Sequence, residues 1–252
     1  MTGVRKETRW RQKWCVAPVF LLLLIIGFLV FSLFYYRADE TALCSMQSDE
    51  TVSVTETTYG WLLDGPSENA ALIFYPGAKV EETAYAPLLH LLAAQGVDVC
   101  LVRVPLHFAF FAPNAARAVQ KTHNYMDWYV GGHSLGGVVA AWNAADHPED
   151  YSGTILLASY PIRKLPNTQA EILLVGSEDG VISWRHMESG RAYASEHYFE
   201  YILEGGNHAQ FGSYGAQRGD GTATIAAEEQ IRETVDFIIE NLYPGGLSYQ
   251  KQ

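Results

Sequence analysis

A glycine-rich pentapeptide in the middle of the chain is the feature that most restricts its fold. Gly132, His133, Ser134, Leu135 and Gly136 join a short apolar strand pattern to an alanine-rich helix pattern. A serine at such a strand-to-helix turn adopts a strained backbone conformation, and the residues two positions away must lack side chains to avoid collisions. The pattern therefore matches the Gly-x-Ser-x-Gly nucleophile elbow, which exposes a serine hydroxyl above the edge of a sheet.

The chain after residue 51 alternates apolar strand patterns with helix patterns. The inner strands are apolar on both faces, which is typical of a mostly parallel sheet covered by helices on both sides. We therefore predict one α/β domain over residues 52–252. The strand patterns cover residues 52–63, 70–75, 97–104, 129–131, 153–158, 171–175 and 198–203, and the helix patterns cover residues 84–95, 135–146, 183–195 and 225–242.

The N-terminal part of the chain has a different character. Residues 14–36 carry no charged side chain, and a helix of that length reaches about 34 Å, enough to cross a hydrocarbon core of about 30 Å. Trp14 at one end and Tyr35 and Tyr36 at the other stand where an aromatic belt would place them. The run is longer than the apolar region of a signal peptide and ends in bulky residues. An uncleaved transmembrane signal anchor is therefore favoured over a cleaved signal peptide or a buried soluble helix.

The charge of the chain is distributed unevenly. Residues 1–14 hold five basic side chains and one acid, so the net charge of −11 divides into +4 there and −15 elsewhere. The positive-inside rule then places the N-terminus in the cytoplasm. We expect a single-pass protein of the cell membrane, with a cytoplasmic tail (1–13), an anchor (14–36), a stalk (37–51) and an extracytoplasmic domain. The acidic domain argues against nucleic acid as a partner, because nucleic-acid binding needs a basic surface.

Four stretches, with the closing helix, carry a resemblance to a known family. The chain resembles the α/β-hydrolase superfamily and, more narrowly, its lidless group related to dienelactone hydrolases that uses serine as the nucleophile. The resemblance spans roughly residues 70–242 and implies the α/β-hydrolase fold, preceded here by one N-terminal transmembrane helix. The stretches are Phe74-Tyr75-Pro76-Gly77-Ala78-Lys79-Val80, the elbow at Ser134, Leu174-Val175-Gly176-Ser177-Glu178-Asp179-Gly180 and Gly205-Gly206-Asn207-His208-Ala209-Gln210-Phe211-Gly212.

The elbow serine needs a base to take its proton and an acid to hold that base, and the order expected in this fold is Ser, then Asp or Glu, then His. His208 follows the last strand pattern in a glycine-rich turn, which predicts that it lies at the same sheet edge as Ser134. Asp179 matches the acid position of the superfamily, and its neighbour Glu178 is the alternative. Both acids also suit a simple turn, for which Asp-Gly is a common signal.

An oxyanion hole needs two N–H donors that point at the developing negative charge. We expect one donor to be the amide of Leu135, directly after the nucleophile. The other should come from the loop after the strand at 70–75, where Pro76, Gly77 and Ala78 occupy the place of the His-Gly motif of lipases. We predict the Ala78 amide, with Lys79 as the alternative.

The short connection at residues 159–170, of twelve residues, leaves no room for a sizeable cap domain. The site is therefore expected to be shallow and open, and to favour small, uncharged esters. No metal or other cofactor is expected, since no cluster of His, Cys and carboxylate residues has ligand spacing. Candidate aromatic residues to line the site are Phe108, Phe110, Phe111, Tyr160 and Phe211.

These observations together predict a membrane-anchored serine hydrolase. Ser134, His208 and Asp179 would form the catalytic triad, and the partner would be a small-molecule acyl ester or thioester. Acyl transfer to an alcohol uses the same triad and is one alternative. A catalytically silent binding domain is another, because a fold does not determine a function.

Overall fold

The computed structural model contains one long N-terminal helix and a larger α/β unit. The structure describes residues 4–66 and 69–242, and for residues 4–16 it describes the backbone alone. The described chain divides into two compact units between Tyr35 and Tyr36. The first unit contains helix α1 (Val4–Ser32), in which apolar side chains from Val19 onward are exposed.

The membrane anchor stays a prediction. Among the described residues, no helix combines the length and the apolar character needed to span a bilayer. The side chains of the predicted basic tail (1–13), and those of residues 14–16 at the start of the predicted anchor, lie outside the described residues.

The second unit is built on one sheet, which has eight strands within the described residues, in the order β1-β2-β4-β3-β5-β6-β7-β8. The neighbours from β4 onward in this order are parallel, whereas β1 and β2 join the edge as antiparallel strands. The predicted mostly parallel sheet is therefore confirmed. The strands are β1 (Ser53–Glu56), β2 (Gly60–Asp64), β3 (Ala70–Tyr75), β4 (Asp98–Val102), β5 (Asp127–His133), β6 (Gly153–Leu157), β7 (Ala170–Gly176) and β8 (His197–Leu203).

The single strand predicted for residues 52–63 is wrong. That stretch forms a hairpin of β1 and β2, with a turn between them that ends at Gly60. The backbone of Gly60 has φ of 143°, and a Cβ atom there would lie 2.2 Å from the carbonyl oxygen of Leu101. Only glycine fits this position, so the apolar run is interrupted by backbone geometry that its hydropathy does not reveal.

Helices cover both faces of the sheet, as predicted. Side chains alternate along β3, so Leu72 packs with one hydrophobic cluster and Ile73 with another on the opposite face. Helices α3 and α7 belong to the first cluster, and α4, α5 and α6 to the second. Their bounds are α3 (Ala86–Ala94), α4 (Ala115–Gln120), α5 (Leu135–Asp146), α6 (Trp184–Gly190) and α7 (Ala227–Leu242).

Residues 37–51, predicted as a stalk, contain a short helix that packs against the domain. Asp39 caps the N-terminus of helix α2 (Glu40–Ser45), and its carboxylate accepts a hydrogen bond from the amide of Ala42. Ala42 is fully buried, and the carbonyl oxygen of Ser45 accepts a hydrogen bond from His90. One buried residue in a six-residue helix leaves no periodic pattern, which explains why the sequence suggests an unpacked segment.

The carboxyl ends of four parallel strands position the candidate site. Strand β3 leads into the loop that contains Ala78, β5 into Ser134, β7 into Asp179 and β8 into His208. Because parallel strands end at the same edge of a sheet, these loops meet along one edge.

Candidate active site

Ser134 lies at the turn between β5 and α5, as the sequence predicts. Its backbone has φ of 53° and ψ of −122°, a conformation that non-glycine residues rarely adopt and that costs roughly 1–3 kcal/mol. The Ser134 amide donates to the carbonyl oxygen of Leu157 on β6, at 2.9 Å. The neighbouring strand therefore helps to hold the serine in its strained conformation, with its side chain half-exposed.

The glycines of the elbow allow it to pack closely against the end of β3. A Cβ atom at Gly132 would lie 2.5 Å from the carbonyl oxygen of Tyr75, and one at Gly136 would lie 2.2 Å from the same oxygen. These distances are far shorter than a van der Waals contact, so any side chain at either position would push the elbow away from the end of β3.

Asp179 and His208 form a buried hydrogen-bonded pair. Their side chains are 0% and 1% exposed, and Asp179 Oδ2 lies 2.7 Å from His208 Nδ1. The other oxygen, Oδ1, accepts hydrogen bonds from the amides of Val181 and Ile182, at 2.8 and 2.7 Å. Three donors therefore face this carboxylate and fix its orientation.

Glu178, the alternative acid, points elsewhere. It is exposed to solvent, and its carboxylate accepts a hydrogen bond from the hydroxyl of Ser177 at 3.3 Å. The geometry therefore favours Asp179 as the partner of His208.

The structure does not join Ser134 to His208 by a hydrogen bond. His208 Nε2 is buried and has no hydrogen-bond partner among the described residues. The ring of His133, the residue before the serine, lies 4.4 Å from the His208 ring between centroids. His208 therefore packs against the residue that directly precedes the serine in the chain.

The loop after β3 forms a tight turn at residues 77–80, here called the oxyanion turn. Val80 N–H donates to the carbonyl oxygen of Gly77, and Lys79 has a positive φ of 60°. The Gly77 amide donates to the hydroxyl of Tyr85 at 3.0 Å, and the Lys79 amide donates to the carbonyl oxygen of His107 at 2.8 Å. Since both neighbouring amides are engaged, the geometry favours Ala78 over Lys79 as the donor of this turn.

Tyr85 is a residue of the site that the sequence did not indicate. Its hydroxyl accepts the hydrogen bond from Gly77 and lies 2.8 Å from His133 Nδ1. Burial lowers the pKa of His133 well below its ordinary value, and the charge of His208 lowers it further. Through its hydrogen bonds with His133 and Gly77, Tyr85 connects the elbow to the oxyanion turn.

Asp220 is a second residue that the sequence did not indicate. It belongs to the histidine loop, the connection of residues 204–226 between β8 and α7. Its carboxylate accepts hydrogen bonds from the amides of His208, Ala209 and Gly180, at 3.2, 2.8 and 3.1 Å. Asp220 therefore joins the loop that carries the candidate base to the loop that carries the candidate acid.

A cavity of about 230 Å³ opens beside Ser134. Of the five aromatic residues predicted to line the site, Tyr160 lines this cavity, whereas Phe211 is fully buried against His133 and Phe110 and Phe111 are exposed. A larger cavity of about 800 Å³ lies between α3, α7 and the histidine loop, away from the serine. The smaller cavity is lined by Ser134, Leu135, Val138, Ala158, Ser159, Tyr160, Val181, Ile182 and Ser183.

Comparison with protein families shows which family the chain belongs to, because the model of the alpha/beta hydrolase family matches residues 71–232. The chain belongs to the alpha/beta hydrolase family. The match includes Ser134, Asp179, His208 and the oxyanion turn, and the predicted superfamily is confirmed. No curated protein sequence matches this alpha/beta hydrolase closely enough to indicate a relationship.

Solved structures share the fold of this alpha/beta hydrolase at low sequence identity. A CIB-like hydrolase from Thermoplasma acidophilum is 16% identical, with a TM-score of 0.56, over 74% of this chain and 98% of the other. Est1E from Butyrivibrio proteoclasticus is 13% identical, with a TM-score of 0.55, over 77% and 99%. The carboxylesterase CesB from Bacillus subtilis is 10% identical, with a TM-score of 0.56, over 82% and 96%. At such identities the likeness shows the fold alone.

Proposed function

We propose that this alpha/beta hydrolase is a serine hydrolase that cleaves small, uncharged carboxylic esters or thioesters. The observation that carries the proposal is the buried Asp179–His208 pair at the sheet edge where Ser134 stands in a strained elbow. A half-exposed serine at the same sheet edge as a buried imidazole, itself held by a carboxylate, is the arrangement expected of a hydroxyl that attacks an acyl carbon.

In the proposed mechanism, Ser134 Oγ attacks the acyl carbon while His208 Nε2 takes the hydroxyl proton. Asp179 keeps the proton of the imidazole on Nδ1 and stabilises the imidazolium that forms. His208 then gives its proton to the leaving alcohol or thiol, which leaves an acyl-enzyme. Water, deprotonated by the same nitrogen, releases the acid and restores the serine.

The negative charge that develops on the carbonyl oxygen would be stabilised by the amides of Leu135 and Ala78. Leu135 begins α5, and the first amides of a helix lack partners within it and lie at the positive end of the helix dipole. The mostly apolar cavity beside Ser134 would take the acyl group.

Labelling with a fluorophosphonate probe tests this proposal. The wild-type protein should be labelled, and Ser134→Ala should abolish labelling. A matched control is Ser189→Ala, which removes a hydroxyl from the exposed surface of α6 and should leave labelling unchanged. A folded wild-type protein that stays unlabelled would contradict the proposal and would favour a catalytically silent binding domain. Partition of the acyl-enzyme between water and added alcohols separates hydrolysis from acyl transfer.

We also propose that the N-terminal segment anchors the protein in the cell membrane, with the hydrolase domain outside the cytoplasm. This part of the proposal is supported by the sequence, in which residues 14–36 are uncharged and follow a basic tail. The protein should stay with membranes during a carbonate wash and retain its N-terminal residues. A domain protected from protease added outside intact cells would contradict the orientation.

A further inference from the structure

The segment that precedes α2 is bonded to the oxyanion turn. This linker segment, residues 36–39, runs beside the turn as an extended piece of chain. The Tyr36 amide donates to the carbonyl oxygen of Lys79 at 2.7 Å, and the Tyr36 carbonyl oxygen accepts from the amide of Glu81 at 2.8 Å. Two backbone hydrogen bonds thus pair Tyr36 with the oxyanion turn, which carries the Ala78 amide, and with the residue that follows this turn.

The same segment is also bonded to the histidine loop. The hydroxyl of Tyr36 accepts a hydrogen bond from the amide of Arg218 at 3.0 Å, and its ring packs against Tyr214 with 5.6 Å between centroids. The Asp39 amide donates to the carbonyl oxygen of Ser213 at 2.9 Å. A single residue, Tyr36, therefore contacts both loops on which the proposed chemistry depends.

A further bond closes the arrangement. The amide of Ala38 donates to Oε2 of Glu81 at 3.1 Å, so these hydrogen bonds hold the linker at positions 36, 38 and 39. All of the linker lies before residue 71, where the match to the family model begins. Family membership alone therefore does not predict these contacts.

We propose that Tyr36 is a positioning residue that fixes the oxyanion turn and the histidine loop relative to each other. Its backbone bonds the turn and its side chain bonds the loop. The distance between the Ala78 amide and the His208 imidazole is therefore set in part by the linker. This inference rests on the proposed function for its effect on turnover, whereas the coupling of the two loops is a property of the structure alone.

Full-chain variants at Tyr36 test the proposal. Tyr36→Ala removes the ring and the hydroxyl. We expect kcat to fall about 10-fold and KM to change less than about two-fold, with kcat expressed per active site as counted by fluorophosphonate titration. Tyr36→Phe keeps the ring but loses the bond from Arg218, and kcat should fall about three-fold. Phe34→Ala is the matched control, because Phe34 is an aromatic side chain two residues away that is 70% exposed.

A role in stability alone would give a different result. It would lower the number of titratable sites and the Tm but leave kcat per site unchanged, and that outcome would overturn the proposal.

Hydrogen exchange provides a measurement that does not need activity. In Tyr36→Ala, the amides of both the oxyanion turn and the histidine loop should exchange faster, and in Phe34→Ala neither should change. Faster exchange in the histidine loop alone would overturn the coupling. If the wild-type protein shows no labelling or turnover, the proposed function fails, and exchange still decides whether Tyr36 couples the loops.

Discussion

The carboxyl edge and the amino edge of the central sheet both bury acidic side chains, but they surround them differently. At the carboxyl edge, Asp179 faces two amides and the imidazole of His208. At the amino edge, Glu171 near the start of β7 accepts one hydrogen bond, from the amide of Ser195, and its Oε1 has no partner among the described residues. Burial raises the pKa of Glu171 to about 7, against an ordinary value of 4.5.

Both carboxylates are buried, but they differ in the number of donors that face them. Asp179 has donors on both of its oxygens, which fix its orientation toward His208, whereas Glu171 has a donor on only one oxygen. A carboxylate with one donor becomes protonated more easily, and its burial then makes the stability of the fold depend on pH.

The largest expected effect is at the carboxyl edge. Asp179→Asn should lower kcat by about 10⁴-fold without unfolding the protein, because an amide cannot hold His208 in the required tautomer. Steady-state kinetics and a thermal melt measure the two quantities. Glu171→Gln is the matched change at the amino edge and should leave kcat within about two-fold. Similar losses of kcat in both variants would remove the distinction between the edges.

The oxyanion turn should give the next largest effect. Ala78→Pro removes the Ala78 N–H at the second position of a turn, where proline is well tolerated, and should lower kcat by about 10²–10³-fold. Lys79→Gly retains the amide and the positive φ of residue 79 and should change kcat little. An unchanged kcat in Ala78→Pro would show that the Ala78 amide is not the donor.

Glu171, at the amino edge, should make the free energy of unfolding decrease as the pH rises. The pKa of Glu171 is about 7 in the folded protein and about 4.5 in the unfolded chain, so the folded state binds this proton more tightly. Its stabilising contribution is complete below about pH 4.5 and is lost as the pH rises to about 7. Between pH 5 and pH 8 the loss should be about 2–3 kcal/mol.

Urea unfolding at the two pH values measures this loss. Glu171→Gln should lose about 2–3 kcal/mol less than the wild type between them. Asp98, also at the amino edge, has its pKa raised by burial to about 6 and contributes a loss of the same sign in both proteins. Equal losses in wild type and variant would show that Glu171 does not titrate as described.

The smallest expected effect is at Glu178, the exposed residue directly before Asp179. Glu178→Gln should change kcat by less than about two-fold, because Glu178 bonds Ser177 at the surface and makes no contact with His208. A large loss here, with Asp179→Asn active, would exchange the roles of the two acids.

The sequence predicted the parts of the site that depend on local pattern and chain order. Strand β3 and helix α5 have the predicted bounds, and the acid and the base follow the serine in the expected order at strand ends. The prediction that Ser134, Asp179 and His208 act together in catalysis stays a prediction until the variants are measured.

The remaining features depend on partners that are distant in the chain. The hydroxyl of Tyr36 bonds a residue 182 positions away, and Asp220 bonds an amide 40 positions away. A tyrosine after an apolar run and an aspartate in a glycine-rich loop are common, so their residue types alone indicate nothing. The alternation of hydropathy also cannot reveal the turn before Gly60, because its cause is a backbone conformation.

The bonds of Tyr36 determine where the chain can be shortened. A soluble version designed from hydropathy would begin at residue 37, after the predicted anchor, or at residue 52, after the predicted stalk. Either choice discards the tyrosine, and the second also discards the buried Ala42. A truncated protein should therefore begin no later than Tyr36, and a preparation that begins further along would underestimate the activity of the native chain.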